Sequence, residues 1–138
     1  DRTRLIRRLA ETHGFDRCAI AHIEELPASV RLREWLHRGM HGSMEWMART
    51  VDRRTDPKLV VAGAKSVVLV AVNYHTDIAP THVANEACIS RYAWGDDYHD
   101  VLGARTRALC DWMTDRHPGS LETRVYVDTG PIQEKVYA

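Results

Sequence analysis

The sequence lacks the features that mark several common classes of protein. Its three cysteines, Cys18, Cys88 and Cys110, are an odd set with wide spacing and no Cys-x-x-Cys pair. Such a set argues against a disulfide framework, and equally against an iron–sulfur or zinc site within these residues. The longest apolar run, 67–72, is far too short to span a bilayer, and no secretory signal opens the chain. We therefore expect a cytoplasmic protein with no membrane partner.

The chain also lacks an excess of charge and the usual catalytic motifs. Nineteen basic and nineteen acidic residues cancel, so no overall field attracts nucleic acid. Nucleotide-binding loops, a Gly-x-Ser-x-Gly elbow and a His-Glu-x-x-His zinc motif are all missing. His37 and His41 are four residues apart, but nearby glycines argue against a shared helix face, so we expect no metal site. At 138 residues, with 44% hydrophobic and 28% charged residues, the chain is typical of one globular domain.

Apolar periodicity predicts a domain of mixed helices and strands, in the α+β (mixed α/β) class. The predicted helices have apolar helical spacing or a capping signal: 2–13, 27–37, a short helix capped by Ser43, another opened by Asp56-Pro57, 97–116, and one from Pro131. The predicted strands are 15–21, 66–74, 87–92 and 122–127, and the predicted loops are 51–56 and 75–85. Because strand 66–74 is almost continuously apolar, we expect it to be central in a sheet.

The segment Asp128-Thr129-Gly130-Pro131 follows a predicted strand and precedes a predicted helix. In a structural interpretation Asp128 or Thr129 caps that helix and Pro131 takes the first helical position. In a functional interpretation Asp128 is a general acid, because desolvation against a bulky apolar cofactor favours the protonated carboxyl near neutral pH. The residues alone favour capping, and both interpretations stay open.

The segment Asp96-Asp97-Tyr98-His99 opens the longest predicted helix. Acidic residues at a helix N-terminus are stabilised by the helix dipole, which is sufficient reason for both aspartates. The same dipole discourages protonation of His99, so we expect a neutral ring that can hydrogen-bond a substrate. Tyr98 fits the apolar stripe of the helix and is predicted to be a core residue.

Four segments, in this order, resemble the N-terminal part of epoxyqueuosine reductases. They are an Arg-x-x-Pro-Lys loop at 54–58, the apolar strand that ends at Tyr74, the Arg-Tyr-Ala-Trp-Gly-Asp-Asp-Tyr-His block at 91–99, and Val-Asp-Thr-Gly-Pro at 127–131. The resemblance implies one nitroreductase-like, cobalamin-binding domain over 1–138 that is cut short at its C-terminal end. It also implies reduction of epoxyqueuosine to queuosine at the wobble position of tRNA.

The resemblance also implies roles for individual residues. Asp128 matches the proton donor and lies at the cofactor, Arg54 and Ser90 match positions that contact cobalamin, and Asp97 and His99 match positions near the substrate base. The implied cofactors are cobalamin and two [4Fe–4S] clusters. The cluster ligands are expected beyond the last residue of this chain, so the isolated fragment is expected to be inactive. The implied partners are tRNA carrying epoxyqueuosine and an electron donor for the clusters.

Two alternatives remain beside this interpretation. One is another cobalamin and iron–sulfur reductase, such as a reductive dehalogenase. The other is a non-catalytic binding domain, in which Asp128 is only a cap and the apolar residues Met40, Met44, Trp46 and Met47 form a partner surface. Cobalamin binding separates the second alternative from both enzymes.

Overall fold

The computed structural model describes residues 1–24, 26–79 and 85–138. The predicted mixture of helices and strands is confirmed. The helices are α1 (Arg2–Thr12), α2 (Pro27–His37), α3 (Glu45–Arg49), α4 (Val51–Thr55), α5 (Tyr98–Arg116) and α6 (Glu134–Tyr137). The strands are β1 (Arg17–His22) and β2 (Ser66–Ala71), and two short 3-10 turns cover Pro57–Leu59 and Arg91–Ala93. None of the helices in the described ranges is both long and apolar enough to cross a bilayer.

Helix α1 begins where the sequence predicts and ends at Thr12, one residue before the predicted end. The Asp1 carboxylate accepts a hydrogen bond from the backbone N–H of Thr3 at 3.0 Å and so caps the first turn. Gly14 follows the helix with a φ of 79°, a conformation that glycine adopts without steric cost. Its carbonyl accepts a hydrogen bond from Arg105 of α5 at 3.0 Å. This contact gives Arg105, which interrupts the apolar stripe of α5, a structural role.

Strands β1 and β2 form the sheet, and they run antiparallel. The N–H of Asp16 bonds to the carbonyl of Ala71 at one end, and the N–H of Ile23 bonds to the carbonyl of Lys65 at the other. The prediction that β2 is central was wrong, because the sheet found in the described residues has two strands. The strand also ends at Ala71 rather than at Tyr74. An apolar run indicates that a strand avoids water, but it does not indicate how many strands lie beside it.

Two other predicted strands, 87–92 and 122–127, are not strands. Residues 91–93 form a 3-10 turn, and residues 122–127 have no regular secondary structure. Alternating polarity cannot form a strand without a partner, and tertiary context decides whether a partner is available. The predicted loop 75–85 has no helix or strand at 75–79 or at 85, and residues 80–84 lie outside the described residues.

The stretch between α2 and β2 is more helical than predicted. Met44 rather than Ser43 stands at the N-cap of α3, without a side-chain cap, and residues 51–55, predicted as a loop, form α4. Charged residues are compatible with a helix when one face packs, and here the buried hydroxyl of Thr55 accepts a hydrogen bond from Arg33 at 2.8 Å. The Asp56 carboxylate accepts from the N–H of Lys58 at 3.0 Å, which confirms the predicted cap.

The described residues form two compact units, which we treat separately. The first comprises Asp1–Arg17 and Val70–Asp128. Its most buried apolar residues are Ala10, Phe15 and Leu109. The second comprises Cys18–Leu69 and Thr129–Ala138, with Ser29, Thr55 and Tyr137 buried. Assignment of the whole of 1–138 to one cofactor-binding domain remains a prediction.

Candidate active site

Asp128 is the last residue of the first unit, and its conformation is unusual. Its φ is 55°, in the left-handed region that few non-glycine residues enter, although aspartate is enriched among them. Its side chain is exposed. The Oδ2 atom accepts a hydrogen bond of 2.7 Å from the hydroxyl of Tyr98, the first residue of α5. The backbone conformation of Asp128 and the hydrogen bond from Tyr98 thus both fix the position of this carboxyl.

The interpretation of Asp128 or Thr129 as a helix cap was wrong. Helix α6 begins at Glu134, its N-cap residue is Gln133, and no side chain caps it. Pro131 lies before the helix rather than at its first position. The segment Asp-Thr-Gly-Pro therefore forms an irregular connection. The Asp128 side chain bonds to the hydroxyl of Tyr98 rather than to a backbone N–H at a helix terminus.

Tyr98 was predicted to lie in the core, but its hydroxyl belongs to the site. Its ring stacks on the ring of His99, with centroids 4.1 Å apart and planes 30° apart. The Tyr92 ring meets it edge-on at 5.9 Å. The hydrogen bond to Asp128, with desolvation as the second cause, raises the pKa of Tyr98 to about 12. Sequence reasoning missed this residue because tyrosine fits an apolar stripe as well as a polar site.

Asp97 and His99 form a second polar pair beside Tyr98. Asp97 caps α5, because its Oδ1 accepts a hydrogen bond from the backbone N–H of His99 at 2.9 Å. The same oxygen lies 2.8 Å from His99 Nδ1. These contacts, the backbone N–H first, hold the pKa of Asp97 below its usual value. The pairing directs Nδ1 to Asp97 and leaves Nε2 for another partner, while the neutral state of His99 remains a prediction.

Ser90 lies before the 3-10 turn that carries Tyr92. Its side chain is exposed and caps nothing, while its carbonyl accepts a hydrogen bond from Ala93 at 3.0 Å. Close to it in sequence are large apolar side chains with high exposed fractions, 64% for Ile89 and 51% for Tyr92. Tyr74 is 65% exposed, and its ring meets Tyr92 edge-on at 6.4 Å. Tyr74 and Tyr92 are in ring contact, and Ile89 is exposed three residues before Tyr92 in the sequence. These three exposed apolar residues of the first unit are here called the apolar face.

Arg54 belongs to the second unit and is held on one side. Its Nε donates to the Thr50 hydroxyl at 2.9 Å, and its guanidinium lies 4.9 Å from the centre of the Trp46 ring. Gln133 donates to its carbonyl at 3.0 Å. Among the described residues, no acceptor is in hydrogen-bonding range of its two terminal nitrogens. The guanidinium is therefore placed with donors to spare for a ligand.

The structure thus brings together part of the predicted site. Asp97, His99 and Asp128 are linked through Tyr98 within the first unit, and Ser90 lies elsewhere in that unit. Arg54 lies in the second unit. Within the described ranges, no group of three or more His, Cys, Asp or Glu side chains is arranged to hold a metal ion.

Sequence comparison identifies the family. Residues 54–129 match the family described as "Epoxyqueuosine reductase QueG, DUF1730". The chain is 41% identical over 138 residues to the epoxyqueuosine reductase of Gloeobacter violaceus, covering 96% of this chain and 41% of that protein. It is 37% identical to the epoxyqueuosine reductase of Leadbetterella byssophila, covering 100% of this chain and 45% of that one. The chain therefore spans less than half the length of these relatives.

Solved structures support the fold. The epoxyqueuosine reductase from Streptococcus thermophilus aligns with a TM-score of 0.72 at 22% identity, covering 94% of this chain and 35% of that one. A crystal structure of epoxyqueuosine reductase with a tRNA-Tyr epoxyqueuosine-modified stem loop aligns with a TM-score of 0.69 at 23% identity, covering 94% and 35%. These alignments confirm the predicted fold class. The chain belongs to the epoxyqueuosine reductase family.

Proposed function

We propose that the protein containing this chain reduces epoxyqueuosine to queuosine at the wobble position of tRNA, and that this chain supplies the cofactor surface and the proton donor. One observation supports this most directly. Asp128, in the segment that resembles the family's proton donor, is hydrogen-bonded to Tyr98 in the middle of the Asp97-Tyr98-His99 motif. Two of the segments that resemble the family, 91–99 and 127–131, are therefore in contact at the Asp128 carboxyl.

The reaction needs a proton as well as electrons. When a C–O bond of the epoxide breaks, the oxygen gains negative charge and must be protonated, and a carboxyl group can donate that proton. Asp128 is exposed, so a substrate can reach it. Reduced cobalamin supplies the strong reductant that no side chain provides. Asp128 holds the proton at the site, and its desolvation would come from the bound cofactor and substrate.

The residues present fit cobalamin. A corrin ring is broad and largely apolar with an amide rim, so it requires an uncovered hydrophobic surface with polar groups beside it. The apolar face provides the hydrophobic surface, with Tyr74 65% and Ile89 64% exposed. Within the first unit, the Ser90 hydroxyl can bond a rim amide. Arg54, in the second unit, has spare donors of the kind that bind amide oxygens. We propose Arg54, Ser90 and Asp128 as cofactor-binding residues.

The described residues do not fit an iron–sulfur cluster, since they contain no suitable group of ligands. We propose that the two [4Fe–4S] clusters are bound by other parts of the protein and receive electrons from a separate donor. The cytoplasmic location expected from the sequence belongs to the same proposal, because modification of tRNA takes place there.

Asp97 and His99 are proposed to bind the substrate base in different ways. Asp97 is occupied by the N-cap bond and by His99 Nδ1, so it acts mainly by orienting the ring. His99 Nε2 is then the atom that meets the base. This division modifies the simple expectation that both side chains contact the substrate.

The test uses the complete gene product, purified with its cofactors, and tRNA that carries epoxyqueuosine. After incubation with a low-potential reductant, the tRNA is digested and its nucleosides are separated by mass spectrometry. We expect cobalamin to copurify and epoxyqueuosine to be converted to queuosine. Cobalamin binding with reduction of organohalides instead would favour a dehalogenase, and absence of cobalamin binding would favour a non-catalytic domain. Either result would overturn the proposal.

A further inference from the structure

We propose that Tyr98 is a positioning residue that holds Asp128 by Oδ2, so that Oδ1 is the atom that delivers the proton. The inference rests on the proposed function, because it concerns the donor of that reaction. It begins from the 2.7 Å hydrogen bond between the Tyr98 hydroxyl and Asp128 Oδ2. The two residues are thirty positions apart, so this contact exists only through the fold of the first unit.

The phenol of Tyr98 is fixed in direction by its surroundings. Its Cα lies in the first turn of α5, which Asp97 caps. The stacked ring of His99 at 4.1 Å limits movement on one side, and the edge-on ring of Tyr92 at 5.9 Å limits it on another. Aromatic pairs with these geometries stabilise a defined ring orientation. The Tyr98 hydroxyl is therefore directed at Asp128 from a constrained position.

The backbone of Asp128 is constrained as well. Its φ of 55° is a conformation that costs energy for a residue with a Cβ, and such conformations persist where the surrounding structure determines them. With the backbone in this region and Oδ2 bound, the remaining freedom of the carboxyl is small. Oδ1 has no hydrogen-bond partner among the described residues, so it is the oxygen presented to a ligand.

Proton transfer can then be assigned to atoms. In the neutral carboxyl, Oδ2 is the carbonyl oxygen that accepts from Tyr98, and Oδ1 carries the hydrogen. During reduction the Oδ1–H bond breaks and an O–H bond forms on the substrate oxygen as its bonds to carbon break. The two electrons would come from the cobalamin reductant, and a second proton, taken from solvent, releases the oxygen as water. The carboxylate left behind is stabilised by the Tyr98 hydrogen bond, which becomes charge-assisted. Tyr98 keeps its own proton throughout, since its pKa is raised to about 12.

The first measurement tests the Tyr98–Asp128 hydrogen bond without requiring catalysis. In the complete gene product, ¹³C-labelled tyrosine ring signals report the ionisation of individual phenols, including the five of this chain, and the signal lost in Tyr98→Phe identifies that of Tyr98. We expect the Tyr98 phenol to stay neutral at a pH of about 11 and to be largely ionised at that pH in Asp128→Asn. Tyr126→Phe is the matched control, because no hydrogen bond of its hydroxyl to a described residue is seen. Equal Tyr98 titration in wild type and Asp128→Asn would overturn the inference.

The second measurement reads the consequence for the reaction. In single-turnover reduction, Tyr98→Phe should lower the rate about tenfold, the effect of one lost hydrogen bond to a charged group. Tyr126→Phe should match the wild-type rate.

The outcomes separate the two proposals. A Tyr98→Phe enzyme with the wild-type rate would overturn the positioning role, while the proposed function would stand. A wild-type protein with no activity on epoxyqueuosine tRNA would overturn the proposed function, while the titration would still show whether Tyr98 holds Asp128. If Tyr98→Phe does not fold, the titration of Tyr98 in Asp128→Asn decides the question alone.

Discussion

The hydroxyl of Tyr98 donates a 2.7 Å hydrogen bond to Asp128 Oδ2, and this contact joins two segments thirty residues apart. One segment is the start of α5, where Asp97 caps the helix and orients His99. The other is the irregular connection that follows residues 122–127. The contact organises the polar part of the site, because the proposed proton donor Asp128 and the proposed base-binding imidazole of His99 both contact Tyr98.

Arg54→Gln should weaken cobalamin binding by about tenfold, the cost of losing one charged donor to an amide or phosphate acceptor. The terminal nitrogens of Arg54 have no acceptor among the described residues, so a ligand can use them. The measurement is equilibrium binding of cobalamin to the complete gene product. Arg53→Gln is the matched control, because Arg53 is adjacent and exposed. Equal losses for both variants would show that the effect is general charge and would contradict the assignment of Arg54.

We expect the Asp97 carboxylate to contribute stability at neutral pH that is lost at acid pH. Its pKa is held below the usual 3.8 by the His99 backbone N–H and then by the His99 side chain. A carboxyl with a lowered pKa contributes stability that is fully present above its unfolded pKa and is lost as the pH falls through the folded value. The melting temperature of Asp97→Asn, which retains a capping side chain, is compared with that of wild type from pH 7 downward. We expect a constant difference at neutral pH that shrinks below about pH 4; a difference unchanged by acid would contradict this role.

Leu109→Ala should destabilise the first unit by about 3 kcal/mol, the usual cost of emptying a well-packed leucine site. Leu109 is 2% exposed on α5. Urea unfolding measures the change in the free energy of unfolding, and Leu5→Ala is the control, since Leu5 is 48% exposed. Similar losses in the two variants would show that α5 is not packed as the structure describes.

Sequence reasoning predicted the helices better than the strands. Helices α1, α2 and α5 follow from local apolar spacing and caps, such as the Asp97 cap, which need no distant partner. The strands predicted at 87–92 and 122–127 failed because a strand needs a neighbour that local alternation cannot identify. Residues 51–55 were predicted as a loop but form a helix, and the Arg33–Thr55 hydrogen bond that accompanies α4 joins residues 22 positions apart, which local sequence cannot indicate.

The site divides in the same way. Asp128 and the Asp97-Tyr98-His99 motif could be selected from the sequence because they resemble family motifs at element boundaries. The role of Tyr98 could not be predicted, since one tyrosine can serve an apolar stripe with its ring and a carboxyl with its hydroxyl. Only the three-dimensional contact with Asp128 distinguishes these uses. The cap interpretation of Asp128 depended on a helix start at Pro131, and α6 begins three residues later.

The central claim is that Asp128 donates the proton for reduction of epoxyqueuosine, and Asp128→Asn tests it most directly. Cobalamin content and single-turnover formation of queuosine in tRNA are measured together on the complete gene product, with the exposed Asp115→Asn as the matched control. We predict that Asp128→Asn binds cobalamin but forms queuosine at least about a hundredfold more slowly, since an amide cannot act as the acid. Asp115→Asn should behave as wild type. Queuosine formation by Asp128→Asn at the wild-type rate would contradict the account.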